Sequence, residues 1–195
     1  MDDVARLPIS DRTDLFAATA RRRALTAAII EKDFWVCWTL KRIFTLPNPP
    51  AGLLFKGGTS LSKVFGVIER FSEDVDLSFD RAGLGFGGES DPLNVTTGKK
   101  RKHGLEALTE TCQRAIRERL LPQLMAAFGD ALGEPPSATW GLDLDEDDPD
   151  RQTLLFRYPT ENRSRLLRDA RYTTDWIAEV VRKIAGDQAE ALSHG

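Results

Sequence analysis

The chain has little cysteine and little histidine: Cys37 and Cys112, His103 and His194, in 195 residues. Neither cysteine belongs to a Cys-x-x-Cys pair and both sit in apolar helical patterns. No thiolate metal site or disulfide framework is indicated, and buried free thiols in a reducing compartment are expected. The histidines have no partner pattern, so neither is read as a general base. No apolar run approaches membrane-spanning length, and Met1-Asp2-Asp3-Val4 lacks the basic-then-apolar layout of a secretory leader. A cytoplasmic protein without membrane contact is expected. Positive charge is not in excess either: the formal net charge is -3, so any binding of nucleic acid has to use a local patch. The densest basic run is Lys99-Lys100-Arg101-Lys102. Internal repeats and low-complexity tracts are lacking as well.

With 41% hydrophobic residues the chain can bury one sizeable core. Ser10 or Asp11 is placed to cap a helix to about Arg23. A second helix from about Thr26 to Phe44 carries Ile30, Phe34, Cys37 and Trp38 on one face, and Pro47 to Pro50 ends it. Leu53-Leu54-Phe55 is a short apolar strand running into Gly57-Gly58, after which Thr59 is placed to cap another helix. Residues 82–98 are rich in glycine and small polar residues, the pattern of a mobile loop or lid. From about His103, Leu105, Leu108, Cys112, Ile116 and Leu120 form a helical stripe, with a kink expected at Pro122 and an end at Gly129. Residues 140–145 and 153–158 read as a hairpin around the acidic turn Glu146 to Asp150, and a last helix is expected from about Thr174. Strands interspersed with helices in no regular order indicate an α+β fold.

Within this outline one stretch carries chemistry. Gly57-Gly58-Thr59-Ser60 forms a strand-to-helix turn, and fourteen residues past Ser60 comes the carboxylate pair Asp74 and Asp76. Val75, Leu77 and Phe79 alternate with Asp74, Asp76, Ser78 and Asp80, so a strand here buries one face and sets both carboxylates on the other. Two like charges side by side repel, which a divalent cation between them relieves, while adjacent glycines let backbone N–H groups approach a phosphate. A plain tight turn and exposed strand acids are the alternatives for each feature taken alone; their combination favours a site.

Three motifs now resemble a known family: Glu31-Lys32-Asp33-Phe34-Trp35, Phe55 to Lys63 with its Gly-Gly-Thr-Ser core, and Ile68-Glu69-Arg70-Phe71-Ser72-Glu73-Asp74-Val75-Asp76-Leu77. In that order they resemble nucleotidyltransferases of the AbiEii/AbiGii toxin type, within the polymerase-β-like superfamily. The resemblance covers about residues 25–160, with Leu154 to Pro159 also typical. It implies a nucleotidyltransferase core with a small mixed sheet flanked by helices over residues 1–160, and a shortened or divergent C-terminal helical segment over 161–195. It also implies that Gly57, Gly58, Thr59 and Ser60 hold nucleotide phosphates and that Asp74 and Asp76 bind Mg²⁺ or Mn²⁺ and carry catalysis. Lys56, Lys63 and Arg70 either add charge near a triphosphate or form surface salt bridges. Lys99, Lys100, Arg101 and Lys102 either contact an RNA acceptor or form a solvated helix start.

The implied activity is transfer of a nucleotide from an NTP to an RNA such as tRNA, restrained by a cognate antitoxin. Members of the family usually continue, after the Tyr-Pro segment, into a strand bearing a basic residue and a third carboxylate. Here Thr160 to Arg165 leads into a helix-like tail, and no third carboxylate is assigned; Asp143 and Asp145 alternate on an expected strand and could substitute, but are read as facing solvent. The alternative is therefore an impaired, shortened member that binds nucleotide, RNA or a partner without chemistry.

Overall fold

Arg12, Phe16 and Ala20 recur every four residues and form the buried stripe of helix α2 (Ile9–Arg23), which follows a short α1 (Asp2–Ala5). The computed structural model describes residues 1–63, 75–161 and 171–172, with 61–63 and 171–172 described by backbone course alone. Pro8 occupies the N-cap of α2, and the Ser10 hydroxyl donates to Asp11 in place of the expected cap. Thr26 does cap α3 (Ala27–Phe44): its hydroxyl accepts the Ile29 N–H at 3.3 Å, meeting one of the donors that a helix start leaves free. The buried face of α3 runs through Glu31, Trp35, Trp38, Thr39 and Arg42, so Ile30, Phe34 and Cys37 lie at its margin, and Cys37 is half-buried. Cys112 is fully buried, which pushes its thiol up to about 12 and leaves it inert.

β1 (Leu53–Lys56) and β2 (Asp76–Phe79) pair antiparallel, and α4 (Gly57–Lys63) starts at the residue after β1 ends. β3 (Gly141–Leu144), β4 (Leu154–Arg157) and the two-residue β5 (Arg171–Tyr172) make a second antiparallel sheet in the order β3-β4-β5. The α+β class and the 140–158 hairpin agree with expectation, whereas β5 has no counterpart in it. The helix expected from Thr174 lies outside the described residues.

α5 (Gly98–Ala115) passes through a π-helical turn, Ile116–Leu120, into α6 (Leu121–Leu132). The cause is Pro122: it has no N–H to donate and its ring would strike the carbonyl four residues back, so the widened turn just before it absorbs the conflict. Ile116, Leu120, Leu124, Phe128 and Leu132 nevertheless keep one buried stripe across the junction. The helix runs past Gly129 to Leu132 and is capped by Gly133 at φ +80°, a left-handed conformation that glycine adopts without strain.

Aromatic rings lock these layers together. Trp38 stacks on Phe156 (5.8 Å between centroids, 15° between planes) and Trp35 on Tyr158 (5.4 Å, 20°), while Phe128 meets the edges of Trp38 and Phe156 at 4.9 and 4.8 Å. Helices α3 and α6 are thus fastened to β4, each ring pair adding about 1 kcal/mol beyond its area term. The Arg12 guanidinium lies 5.3 Å from the Trp35 ring and donates to the carbonyls of Ala5 (2.8 Å), Leu7 (3.0 Å) and Pro159 (2.8 Å). Glu31, buried between Arg12 and Thr160, has its carboxyl raised chiefly by burial, against the opposing pull of the Thr160 hydrogen bond and the Arg12 charge.

The acidic turn of the hairpin is built around Asp148. Its carboxylate accepts the backbone N–H groups of Asp150 (2.9 Å), Gln152 (2.8 Å) and Thr153 (2.9 Å). Burial pushes this carboxyl up, but the hydrogen bonds together outweigh it and hold the group below the usual range. A depressed folded-state value means stabilisation that is complete above the unfolded value near 4 and lost as pH falls through the folded one. Asp148→Asn is expected to cost about 2 kcal/mol near pH 7, because two buried N–H groups lose their acceptor. In urea unfolding across pH 2 to 7, its gap to the parent chain should narrow below about pH 4; a gap independent of pH would refute the assignment.

Candidate phosphate and metal site

The register of the small sheet sets Lys56 directly opposite Asp76, so the two side chains share a face. On the other face Phe55 opposes Leu77 and Leu53 opposes Phe79, and Val75, Leu77 and Phe79 are buried in the core. The alternation read from the sequence is therefore realised, and hydrophobic burial beneath the strand fixes which residues look outward. Ser78 is an exception: it too is buried. Asp80 spends its carboxylate on the N–H groups of Ala82 (3.2 Å) and Gly83 (3.1 Å).

Gly57 sits at φ +73°, and a Cβ placed there would overlap the Asp76 carboxylate. The glycine is thus required twice, by its backbone conformation and by the acid packed against it. Among the described residues nothing lies within 4 Å of a Cβ position on Gly58, and the residue is exposed. Thr59 and Ser60 point inward; both are buried, and the Ser60 hydroxyl donates to the Gly57 carbonyl at 2.8 Å, holding the turn's shape. Lys56 is half-buried, and its ammonium is lowered first by burial and second by the charge of Arg81. Lys63 is described by backbone alone within α4, and Arg70 and Asp74 lie outside the described residues.

Asp76 offers hard carboxylate oxygens, the donor type that divalent ions such as Mg²⁺ take, beside a turn from which a side chain is missing. Among the described residues no group of three or more metal-ligating side chains occurs. Asp143 is exposed and paired with Arg157 at 3.0 Å. Asp145, expected to face solvent, is instead buried and accepts the Asp147 N–H at 3.0 Å, because the tight turn needs an internal cap.

The segment 82–98, expected as a mobile loop or lid, is largely exposed but touches the core through two apolar side chains. Leu84 and Phe86 lie against the core, two 3-10 turns (Gly88–Ser90 and Pro92–Asn94) follow, and the Asn94 amide donates to the Gly88 carbonyl at 2.8 Å. Arg81, not singled out in the sequence, reaches Asp91 at 3.3 Å, and Pro92 packs on Gly104 of α5, where a Cβ would lie 3.1 Å from it. The end of β2 is thereby joined to the first turns of α5. Lys99, Lys100, Arg101 and Lys102 occupy the start of α5, all exposed, with no acidic residue in the first turn. Lys102 has only a loose partner in Glu106, at 3.9 Å.

The family model described as nucleotidyl transferase AbiEii toxin, of type IV toxin-antitoxin systems, matches residues 38–180, well over half of the chain. The chain belongs to the AbiEii family. No curated protein and no solved structure matches it. The matched span of the AbiEii domain contains the Gly57 turn and Asp76, while Glu31 to Trp35 lie before it, with Glu31 and Trp35 buried. Among the described residues no helix is long and apolar enough to cross a membrane.

Two glycine substitutions separate shape from space at this AbiEii turn. Gly57→Ala is expected to cost at least about 2 kcal/mol, from the left-handed backbone and the displaced Asp76. Gly58→Ala should leave stability level or raise it by up to about 1 kcal/mol, since it stands in a helix with no described neighbour at its Cβ position. Thermal unfolding of both variants checks this; equal destabilisation would contradict the packing of Asp76 on Gly57.

Proposed function

We propose that this AbiEii-family chain is a cytoplasmic Mg²⁺- or Mn²⁺-dependent nucleotidyltransferase toxin that moves a nucleotide from an NTP to an RNA acceptor such as tRNA, under restraint by a cognate antitoxin. The observation that carries the reading is the Asp76 carboxylate seated against side-chain-free Gly57, opposite Lys56 and beside the exposed Gly58. Asp76, with Asp74, holds the ion, which when bound neutralises phosphate charge. Gly57 and Gly58 leave room for phosphate oxygens to approach the backbone. Lys56, partly withdrawn from water, acts on those oxygens more strongly than an exposed lysine does. Lys63 and Arg70 supply further positive charge.

The start of α5 supports an RNA partner. Cations in a helix's first turn oppose the positive end of its dipole, an unfavourable placement that an incoming polyanion reverses. Lys99, Lys100, Arg101 and Lys102 are accordingly assigned to the acceptor's phosphates, and Arg81, Asp91 and Pro92 couple their position to the end of β2. Residues 1–160 are proposed as the catalytic core and 161–195 as a divergent C-terminal segment. A second reading is favoured by one finding: Asp143 and Asp145 are both engaged elsewhere. On that reading the chain binds nucleotide, RNA or a partner without chemistry.

Labelling of total RNA with each of the four NTPs and Mg²⁺ separates the two. Asp74→Ala and Asp76→Ala are expected to lower labelling at least about a thousandfold, equivalent to about 4 kcal/mol of barrier, and to relieve any growth inhibition. Unchanged labelling in either variant would overturn the assignment, and labelling of nothing by the parent chain would favour the binding module. Replacing Lys99, Lys100, Arg101 and Lys102 by Gln should weaken RNA binding. It should also flatten the dependence of log affinity on log salt by about 0.7 per lost single-strand phosphate contact.

A further inference from the structure

Leu54 is the apolar exception on the outward face of the small sheet. Strand alternation puts it on the same face as Lys56, and the register sets it opposite Ser78 and diagonal to Asp76. Its neighbours Leu53 and Phe55 point the other way and pack against the core, whereas Leu54 is 56% exposed, the most exposed large hydrophobic side chain among the described residues. A lone apolar side chain on a surface needs no ligand in general. This one stands one diagonal step of strand pairing, about 7 to 8 Å, from the proposed metal ligand Asp76.

Direction along the sheet identifies what it meets. The glycine turn and Asp76 mark one end of the strand pair; Leu53 opposite Phe79 marks the other, where the Asp80 N–H donates to the Gly52 carbonyl at 2.7 Å. That second end is tied to α5, since Arg81 reaches Asp91 at 3.3 Å, Asp91 accepts the Leu93 N–H at 2.9 Å and Pro92 packs on Gly104. The Arg101 guanidinium donates back to the Val95 carbonyl at 3.1 Å. Along the strand, Leu54 therefore lies on the way from the phosphate end to the end joined to the exposed cations Lys99, Lys100, Arg101 and Lys102. Nucleotidyl transfer runs in line: the acceptor hydroxyl oxygen bonds to the α-phosphorus as the bond from that phosphorus to the β-bridging oxygen breaks. Pyrophosphate leaves and the hydroxyl proton passes to water. With the leaving group at the glycine turn, the hydroxyl enters from the opposite side, which is the side of Leu54. An unpaired base has an apolar face that leaves water on meeting an aliphatic side chain, without releasing a counterion. We propose that Leu54 seats the base of the acceptor RNA's reacting nucleotide, while the basic start of α5 holds phosphates further along the RNA. This assignment rests on the nucleotidyltransferase reading and deepens it by naming a residue for the acceptor's reacting end.

The test follows labelling of total tRNA by the full chain and by Leu54→Ser, Leu54→Ala and Leu54→Met, with equilibrium binding of the same tRNA across a salt series. Leu54→Ser is expected to raise KM for tRNA and to weaken tRNA binding at least about fivefold, with KM for NTP and thermal unfolding unchanged. Leu54→Met should behave like the parent. The slope of log affinity against log salt should stay at the parent's value in every Leu54 variant, because the contact carries no charge. If Leu54→Ser fails to fold, Leu54→Ala decides. Parent-like KM and binding for tRNA in Leu54→Ser overturn the proposal, as does a rise confined to KM for NTP, which would move Leu54 to the incoming nucleotide. A parent chain that binds tRNA through Leu54 yet labels no RNA sustains this inference while the transfer reading fails. Labelling with a KM for tRNA unmoved in Leu54→Ser sustains transfer and refutes Leu54. A parent chain that neither binds nor labels tRNA refutes Leu54 as well, and labelling of total RNA then decides transfer separately.

Discussion

A carboxylate packed against an α-carbon tolerates no Cβ there, and the contact of Asp76 with Gly57 is the constraint on which the site depends. It fixes a left-handed backbone at the exit of β1, and the next helix begins at that same residue. It also joins the two halves of the site, glycine turn and acid strand, across a single step of sheet register. A slip of one residue would turn Asp76 toward the core and Leu77 toward water, so the hydrophobic floor enforces the polar geometry above it.

That floor is stiff because aromatic contacts carry it. Trp35, Trp38, Phe128, Phe156 and Tyr158 come from α3, α6, β4 and the residue just after β4, and meet in offset or edgewise pairs, an arrangement that resists sliding. Val75, Leu77 and Phe79 belong to the same apolar cluster, so the strand carrying Asp76 rests on packed side chains. Placing Lys56 and Asp76 at the margin of such a core lowers the local dielectric response and strengthens each charge's action on a ligand.

Sequence periodicity made much of this legible. The alternation through Val75, Leu77 and Phe79, the Thr26 cap, the glycine pair and the hairpin about residues 146–150 are local signals with local causes. What escaped was set by tertiary contacts. Leu84 and Phe86 anchor a glycine-rich segment that composition marks as mobile, because two apolar side chains finding the core outweigh the freedom of their neighbours. Asp145 faces inward since the turn needs a cap, and helix α6 outlasts Gly129 because its backbone has no need of a left-handed residue until Gly133. Arg81 is marked by no motif, because its ion pair with Asp91 joins two segments that composition does not relate.

The family match begins at residue 38, yet the core extends further toward the N-terminus. Trp35 supplies the ring that covers Tyr158, and Arg12 reaches across to the carbonyl of Pro159 at the far end of β4. A chain begun at residue 38 would lay bare the faces of Phe156 and Tyr158 and leave the Pro159 carbonyl without its donor. The span by which relatives are recognised is thus shorter than the unit that can hold itself together. The first two long helices act as an integral wall of the fold, although the family match takes in only residues 38–44 of them.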